Sequence, residues 1–149
     1  PCPGVGLGTG NDLLDYFSCV FSCILSGCGT VSIGAKTPPT LSQGDALGLI
    51  FLANLLHLIP TEAAQQVIAE AALALAPGGT LILYGPFRRE GVLTSDGDAK
   101  FDAELRTADP AIGYKDTVDI TRWLSDAALS PIDRIDMPAN NLAFIARKP

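Results

Sequence analysis

The stretch from Ala63 to Phe87 constrains the fold more than any other part of the chain. Ala63 to Ala76 is rich in helix formers, and Val67, Ala71 and Leu75 recur at four-residue spacing with Ile68 and Ala72 alongside. Pro77-Gly78-Gly79 predicts a stop to that helix. Thr80 to Leu83 then reads as a buried strand, and it ends in Tyr84-Gly85-Pro86-Phe87. A helix, a break, an apolar strand and a special loop at the strand's carboxyl end are the parts of an α/β crossover. Open α/β sheets bind ligands at the carboxyl ends of their strands, so Tyr84 to Phe87 is expected beside a site.

The segments on either side extend this reading. Ala46 to Leu52 is a continuous apolar run, as expected of a parallel strand buried on both faces. Ala53 to Pro60 forms the loop at its carboxyl end, and Thr61 is the predicted N-cap of the helix, with Glu62 in the first turn. After the Tyr-Gly-Pro-Phe turn, Arg88 to Lys100 reads as a long exposed loop of the kind that serves as a lid. Ala99 to Thr107 is a short predicted helix. Thr117 to Ala128 is another, with Asp116 as a candidate N-cap and Ile120, Trp123, Leu124 and Ala127 on one face. Pro131 to Met137 and Asn141 to Arg147 are strand candidates that Pro138-Ala139-Asn140 can join as an antiparallel hairpin.

Several separated motifs stand in a fixed order: Tyr84-Gly85-Pro86-Phe87, Phe101-Asp102-Ala103-Glu104-Leu105-Arg106, Asp109-Pro110, Gly113-Tyr114-Lys115-Asp116 and Met137-Pro138-Ala139-Asn140-Asn141-Leu142. This set resembles a family of methyltransferase-like proteins. Its vertebrate member is methyltransferase-like protein twenty-six, and its bacterial members carry a domain-of-unknown-function label. The resemblance covers Asp45 to Lys148. It implies an α/β fold, a class I methyltransferase (Rossmann-like) sheet that ends in an antiparallel hairpin, and S-adenosylmethionine as cofactor. Here that sheet is expected to be truncated in its N-terminal half. Fold alone does not set the reaction.

The chain is expected to be one methyltransferase-like domain over residues 1–149, with 1–44 atypical, Cys-rich and shortened and 45–149 family-like. Gly8-Thr9-Gly10-Asn11 looks like the remnant of the family's glycine turn, but Pro1 to Leu7 makes a poor central strand. Only 34 residues separate Gly10 from Asp45, too few for the strand–helix units that normally complete a cofactor pocket. The first residue is Pro1 and not Met, so a fragment or a processed or altered form is expected. Only Asp12, Asp15 and Lys36 among the 26 charged residues precede Asp45, and all four cysteines lie there, which sets that segment apart.

The cysteine spacings do not form zinc pairs and His57 is the only histidine, so no metal site is expected and the thiols read as free. The net charge of −6 argues against general binding to nucleic-acid phosphates. Tyr16 to Ala35 is uncharged for 20 residues, but its serines and glycines dilute it and no basic flank precedes it. A helix from Asn11 to Leu25 and a strand near Thr30 to Ile33 are expected there, with no membrane span, and the protein is expected in the cytoplasm.

Methyl transfer needs a donor and an acceptor held in line, and in some cases a base. Gly8, Thr9, Gly10 and Asn54 are the candidate cofactor contacts. His57 and Tyr84 are the candidate catalytic groups, because imidazole titrates near neutral pH and a phenol can orient an acceptor. By the resemblance, the helix carrying Phe101, Asp102 and Arg106 lines the acceptor side; Pro86 and Phe87 are expected to shape the pocket wall, and Asn140 and Asn141 either form a tight left-handed turn or present amides to a small molecule or an unidentified acceptor. Each has a plainer reading: His57 packed among leucines, Tyr84 as a partly buried ring, Asp102 and Arg106 as a surface i, i+4 pair, and Asn140 as a turn residue. A non-catalytic, truncated methyltransferase-like interaction module is the alternative function. An oxidoreductase ranks below both, because Leu13 stands where the last glycine of a dinucleotide fingerprint belongs.

Overall fold

The computed structural model describes residues 46–149. In chain order these form β1 (Leu47–Ala53), a 3-10 turn (Leu56–Leu58), α1 (Thr61–Ala74), β2 (Leu75–Pro86), α2 (Asp96–Ala108), α3 (Thr117–Asp126), β3 (Ile132–Asp136) and β4 (Asn141–Arg147). The strands make one sheet in the order β1-β2-β4-β3. β1 runs parallel to β2, while β4 is antiparallel to both β2 and β3. The crossover and the closing hairpin are therefore both present.

The core follows from strand alternation. Leu81 and Leu83 on β2 are fully buried and pair with Ala146 and Phe144 on β4, which are fully buried too. Val67, Ile68, Ala71 and Ala72 of α1 and Ile120, Trp123 and Leu124 of α3 complete it. Among the described residues, the other face of the sheet is more open than the sequence expectation of strands buried on both faces. Leu49 and Phe51 on β1 are 57% and 54% exposed, and Ile82 and Tyr84 on β2 are half-buried. An apolar run shows that a strand tolerates burial on both faces, not that both faces are covered.

The helix-to-strand junction also differs from expectation. Thr61 is the first helical residue and not the cap; Pro60 holds the cap position and its carbonyl accepts from the Ala64 N–H at 2.9 Å. The helix ends at Ala74, and Leu75 already pairs with Leu47. The next matched pair is Leu49 with Thr80, so Ala76 to Gly79 bulge out of β2. Pro77-Gly78-Gly79 is thus a bulge inside the strand, not a stop after the helix. Gly79 is required there: a Cβ would lie 2.8 Å from the carbonyl oxygens of both Ala76 and Leu47.

Lys148 closes this junction. Its backbone bonds Gly78 and Gly79, each at 2.9 Å, and its Nζ donates to the carbonyls of Ala72 at 2.9 Å and Leu75 at 2.7 Å. A cation thus satisfies carbonyls that the end of α1 leaves orphaned.

The region after β2 is not a free lid. Asp116 caps α3 as expected, accepting from Val118 N at 2.9 Å, and its other oxygen accepts from Gly91 N at 2.6 Å. Arg88 bonds Lys115 and Thr117 through its backbone, and Arg89 and Val92 exchange two backbone bonds. Residues 88–92 are therefore tied to the start of α3. Ser95 then caps α2, which begins three residues before its predicted start. No helix among the described residues is long and apolar enough to cross a membrane. The helix and strand expected before residue 34, the four cysteines and the Tyr16–Ala35 run lie outside the described residues.

Candidate active site

Two adjacent parallel strands deliver the first groups. At the end of β1, Asn54 takes a left-handed backbone (φ 52°), and its N–H donates to the Tyr84 carbonyl at 2.8 Å. This bond ties the ends of β1 and β2 together. The 3-10 turn beyond Asn54 buries His57 to 7% exposure. At the end of β2, Tyr84 is half-buried, Pro86 pairs with Asn141, and Phe87 lies in the core with its ring edge-on to Phe144 at 5.2 Å.

The β3–β4 turn reaches over these strand ends. Ala139 and Asn140 both have positive φ, 57° and 59°, which asparagine tolerates better than alanine. Asn141 Nδ2 lies 3.2 Å from the Tyr84 hydroxyl and 3.2 Å from the Pro138 carbonyl oxygen. Asn140 Nδ2 donates to Asp98 Oδ2 at 3.2 Å, and the Tyr114 hydroxyl donates to Asp98 Oδ1 at 3.1 Å. One turn therefore joins the end of β2 to the start of α2. The left-handed turn expected at Asn140 is present, and both amides are bonded within the chain.

Asp102 organises the other half. It is 4% exposed, and its carboxylate accepts from Tyr114 N at 2.6 Å, Arg106 Nε at 2.8 Å and Arg88 Nη2 at 3.2 Å. Burial alone pushes its pKa up, but the Arg106 and Tyr114 hydrogen bonds and the two guanidinium charges outweigh that and hold it below the ordinary value. The i, i+4 pair read from the sequence as a surface pair therefore has its carboxylate buried, while the Arg106 side chain stays partly exposed. Gly113 allows it: a Cβ there would meet the Arg106 guanidinium and Asp102 Oδ1, each at 2.8 Å.

His57, Phe101 and Tyr114 form an edge-to-face triangle with centroids 5.9 to 6.2 Å apart. Phe101 leaves 40% of its surface exposed. Lys115 is buried and its Nζ donates to the carbonyls of Ile59 at 2.8 Å and Gly113 at 2.9 Å, while Gly113 N donates to the His57 carbonyl at 3.0 Å. Burial, and next the Lys115 charge, lower the His57 pKa to about 4. Burial also lowers Lys115 to about 8, and burial with the Asp98 contact raises Tyr114 to about 12. Near neutral pH, His57 is a neutral imidazole.

Of the residues predicted from sequence, His57, Phe101, Asp102 and Arg106 meet in one cluster. Asn140 joins it through Asp98 and Tyr114, and Tyr84 joins Asn141. Asn54 bonds the Tyr84 backbone. Gly8, Thr9 and Gly10 lie outside the described residues. Sequence reasoning passed over Asp98, Tyr114 and Lys115 as site residues. The spacing Ser95-x-x-Asp98 is a capping-box signal that marks the true start of α2, with Asp98 N bonded to Ser95 Oγ at 3.1 Å. Nothing in the local sequence indicates that Lys115 turns inward. A shallow depression of about 420 Å³ beside α3, between Glu90 and Arg134, contains none of the sequence-predicted residues.

A family model described as Protein of unknown function (DUF938) matches residues 30–148. Among solved structures, an O-methyltransferase family protein from Burkholderia thailandensis is similar at 22% identity and a TM-score of 0.62, over 71% of this chain and 31% of that one. The human N-acetylserotonin methyltransferase in complex with S-adenosylmethionine is similar at 20% identity and a TM-score of 0.58, over 70% and 31%. An O-methyltransferase family 2 protein from Planctomyces limnophilus in complex with apigenin is similar at 20% identity and a TM-score of 0.61, over 78% and 33%. The fold is that of class I methyltransferases, and the chain spans about a third of the length of these structures.

Proposed function

Because the chain belongs to the family described as Protein of unknown function (DUF938), and because its sheet is that of class I methyltransferases, we propose that it serves S-adenosylmethionine-dependent methyl transfer to a small molecule. One observation carries this reading: Asn54 and Tyr84 stand at the carboxyl ends of adjacent parallel strands, with His57 in the turn that follows β1, and such strand ends are where these sheets hold ligands. The motifs from Tyr84 to Leu142 further support kinship with methyltransferase-like protein twenty-six.

The donor set suits the cofactor. Asn54 and Tyr84 are uncharged, and the cations of Arg88, Arg106 and Lys115 are engaged with the Asp102 carboxylate or with carbonyls, so none of these three is left uncommitted against a sulfonium. In this reading Asn54 contacts the cofactor, and Phe101 offers its exposed ring to the acceptor. When bound, S-adenosylmethionine supplies a methyl group on a sulfonium that is its own leaving group. The chain's residues then have to orient the acceptor and exclude water. Orientation of that kind contributes on the order of 7–11 kcal/mol. A pKa of about 4 makes His57 a weak base, so its part is to shape the pocket as a neutral ring more than to store a proton. Asp102 and Arg106 hold the α2 wall in place.

Calorimetric titration of the full chain with S-adenosylhomocysteine tests the proposal. Binding in the micromolar range, roughly −8 kcal/mol, is expected. A sample that is folded by circular dichroism and shows no binding heat would refute it.

A further inference from the structure

The hydrogen-bond direction at Tyr84 can be assigned from the groups around it. The Pro138 carbonyl oxygen can only accept, so the Asn141 amide atom 3.2 Å from it is the nitrogen. That same nitrogen lies 3.2 Å from the Tyr84 hydroxyl, and there too it can only donate. The Tyr84 oxygen is thus an acceptor toward Asn141. Its own proton has no other partner among the described residues. Tyr84 is half-buried at the strand end, so part of its side chain stays open to a ligand. Tyr114 is set the opposite way, with its proton committed to Asp98. The turn that supplies Asn141 is held with two consecutive left-handed residues, one of them Ala139. Such a conformation persists only where its surroundings hold it, and the Asn140–Asp98 bond does so here.

We propose that Asn141 fixes Tyr84 as a hydrogen-bond donor, and that the subsite at the end of β2 takes small molecules presenting a carbonyl-type oxygen. This rests on the methyl-transfer reading for its setting and adds the polarity of the acceptor. Tyr84 therefore orients the ligand by donation and does not remove its proton. Asn141 is a positioning residue that acts through Tyr84.

The test uses the full chain labelled at tyrosine ¹³Cζ, with the Tyr84 resonance assigned from Tyr84→Phe. Two neutral probes are titrated: acetophenone, which only accepts, and indole, which only donates through nitrogen. Acetophenone is expected to shift the Tyr84 resonance and indole to leave it unmoved. In Asn141→Asp the new carboxylate captures the phenolic proton, and acetophenone binding should weaken at least tenfold. In Asn141→Ala the hydroxyl is free to rotate and its oxygen can accept as well as donate, so indole should now shift the Tyr84 resonance. In the wild type an unmoved Tyr84 resonance with acetophenone or an equal shift with indole, or wild-type acetophenone binding by folded Asn141→Asp, would each overturn the proposal. If Asn141→Asp does not fold, the contrast between the two probes in the wild type decides. S-adenosylhomocysteine titrated into the same samples separates the two ideas. Acetophenone binding without it leaves the donor subsite standing and removes the methyl-transfer setting; the reverse removes the donor subsite alone.

Discussion

At the scale of single residues, His57 carries a pH dependence whose sign is fixed. Burial and the Lys115 charge put its folded-state pKa at about 4, against 6.5 when exposed. Between those values the unfolded chain binds more protons than the folded one, so stability rises with pH across that window. It is complete above about pH 6.5 and declines as pH falls toward 4, by at most ~3 kcal/mol. Thermal melts from pH 7 to 4 should show this decline in the wild type and a flatter profile in His57→Gln. Equal slopes would mean that other groups carry it. Asp102, held below its ordinary pKa, adds a loss only at still lower pH. What could be read at this scale was spacing: the Asp102–Arg106 pair and the Asp116 cap both stand where local chemistry puts them. Their settings could not be read. Asp102 is buried because Arg88, Gly113 and Tyr114 arrive from outside α2, and no local pattern records such an arrival.

At the scale of elements, the junction between α1 and β2 leaves no room for a side chain at Gly79. Gly79→Ala would push a methyl group to within 2.8 Å of two backbone oxygens, neither of which can swing aside as a side chain would. A destabilisation of about 2–4 kcal/mol is expected, measured as a lower urea midpoint with an unchanged slope. A smaller shift would mean that the bulge can open. Periodicity located α1, β2, α3 and the hairpin, because their apolar faces are local properties of the chain. The Pro77-Gly78-Gly79 run misled because these residues mark a bulge as readily as a helix end, and only the pairing of Leu47 with Leu75 tells the two apart. The lid expectation failed for a related reason. Asp116 ties down Gly91 from 25 residues away.

At the scale of the whole described unit, the centre is the paired face of β2 and β4. Phe144 is fully buried and meets Phe87 edge-on. Phe144→Ala should cost about 3–5 kcal/mol, a large part of the roughly 5–15 kcal/mol by which such domains are stable. Equilibrium urea unfolding of the full chain checks this, and a loss below about 1 kcal/mol would place the core elsewhere. The class I methyltransferase architecture was legible because crossover and hairpin each leave a pattern in sequence. Coverage of the second sheet face was not, because β1 reads the same whether or not a layer lies over Leu49 and Phe51.

The strand order β1-β2-β4-β3 also has a meaning in time. β4, synthesised after every other strand described, is not at an edge but wedged between β2 and β3. Until it has left the ribosome, β3 has no neighbour among the described strands, and the β2 side that β4 will cover stays open. Lys148, made later still, is what caps the end of α1. Residues 46–149 cannot therefore settle progressively as they emerge. They wait for their last strand, and in that interval the nascent chain depends on whatever shields an open β-edge from its neighbours.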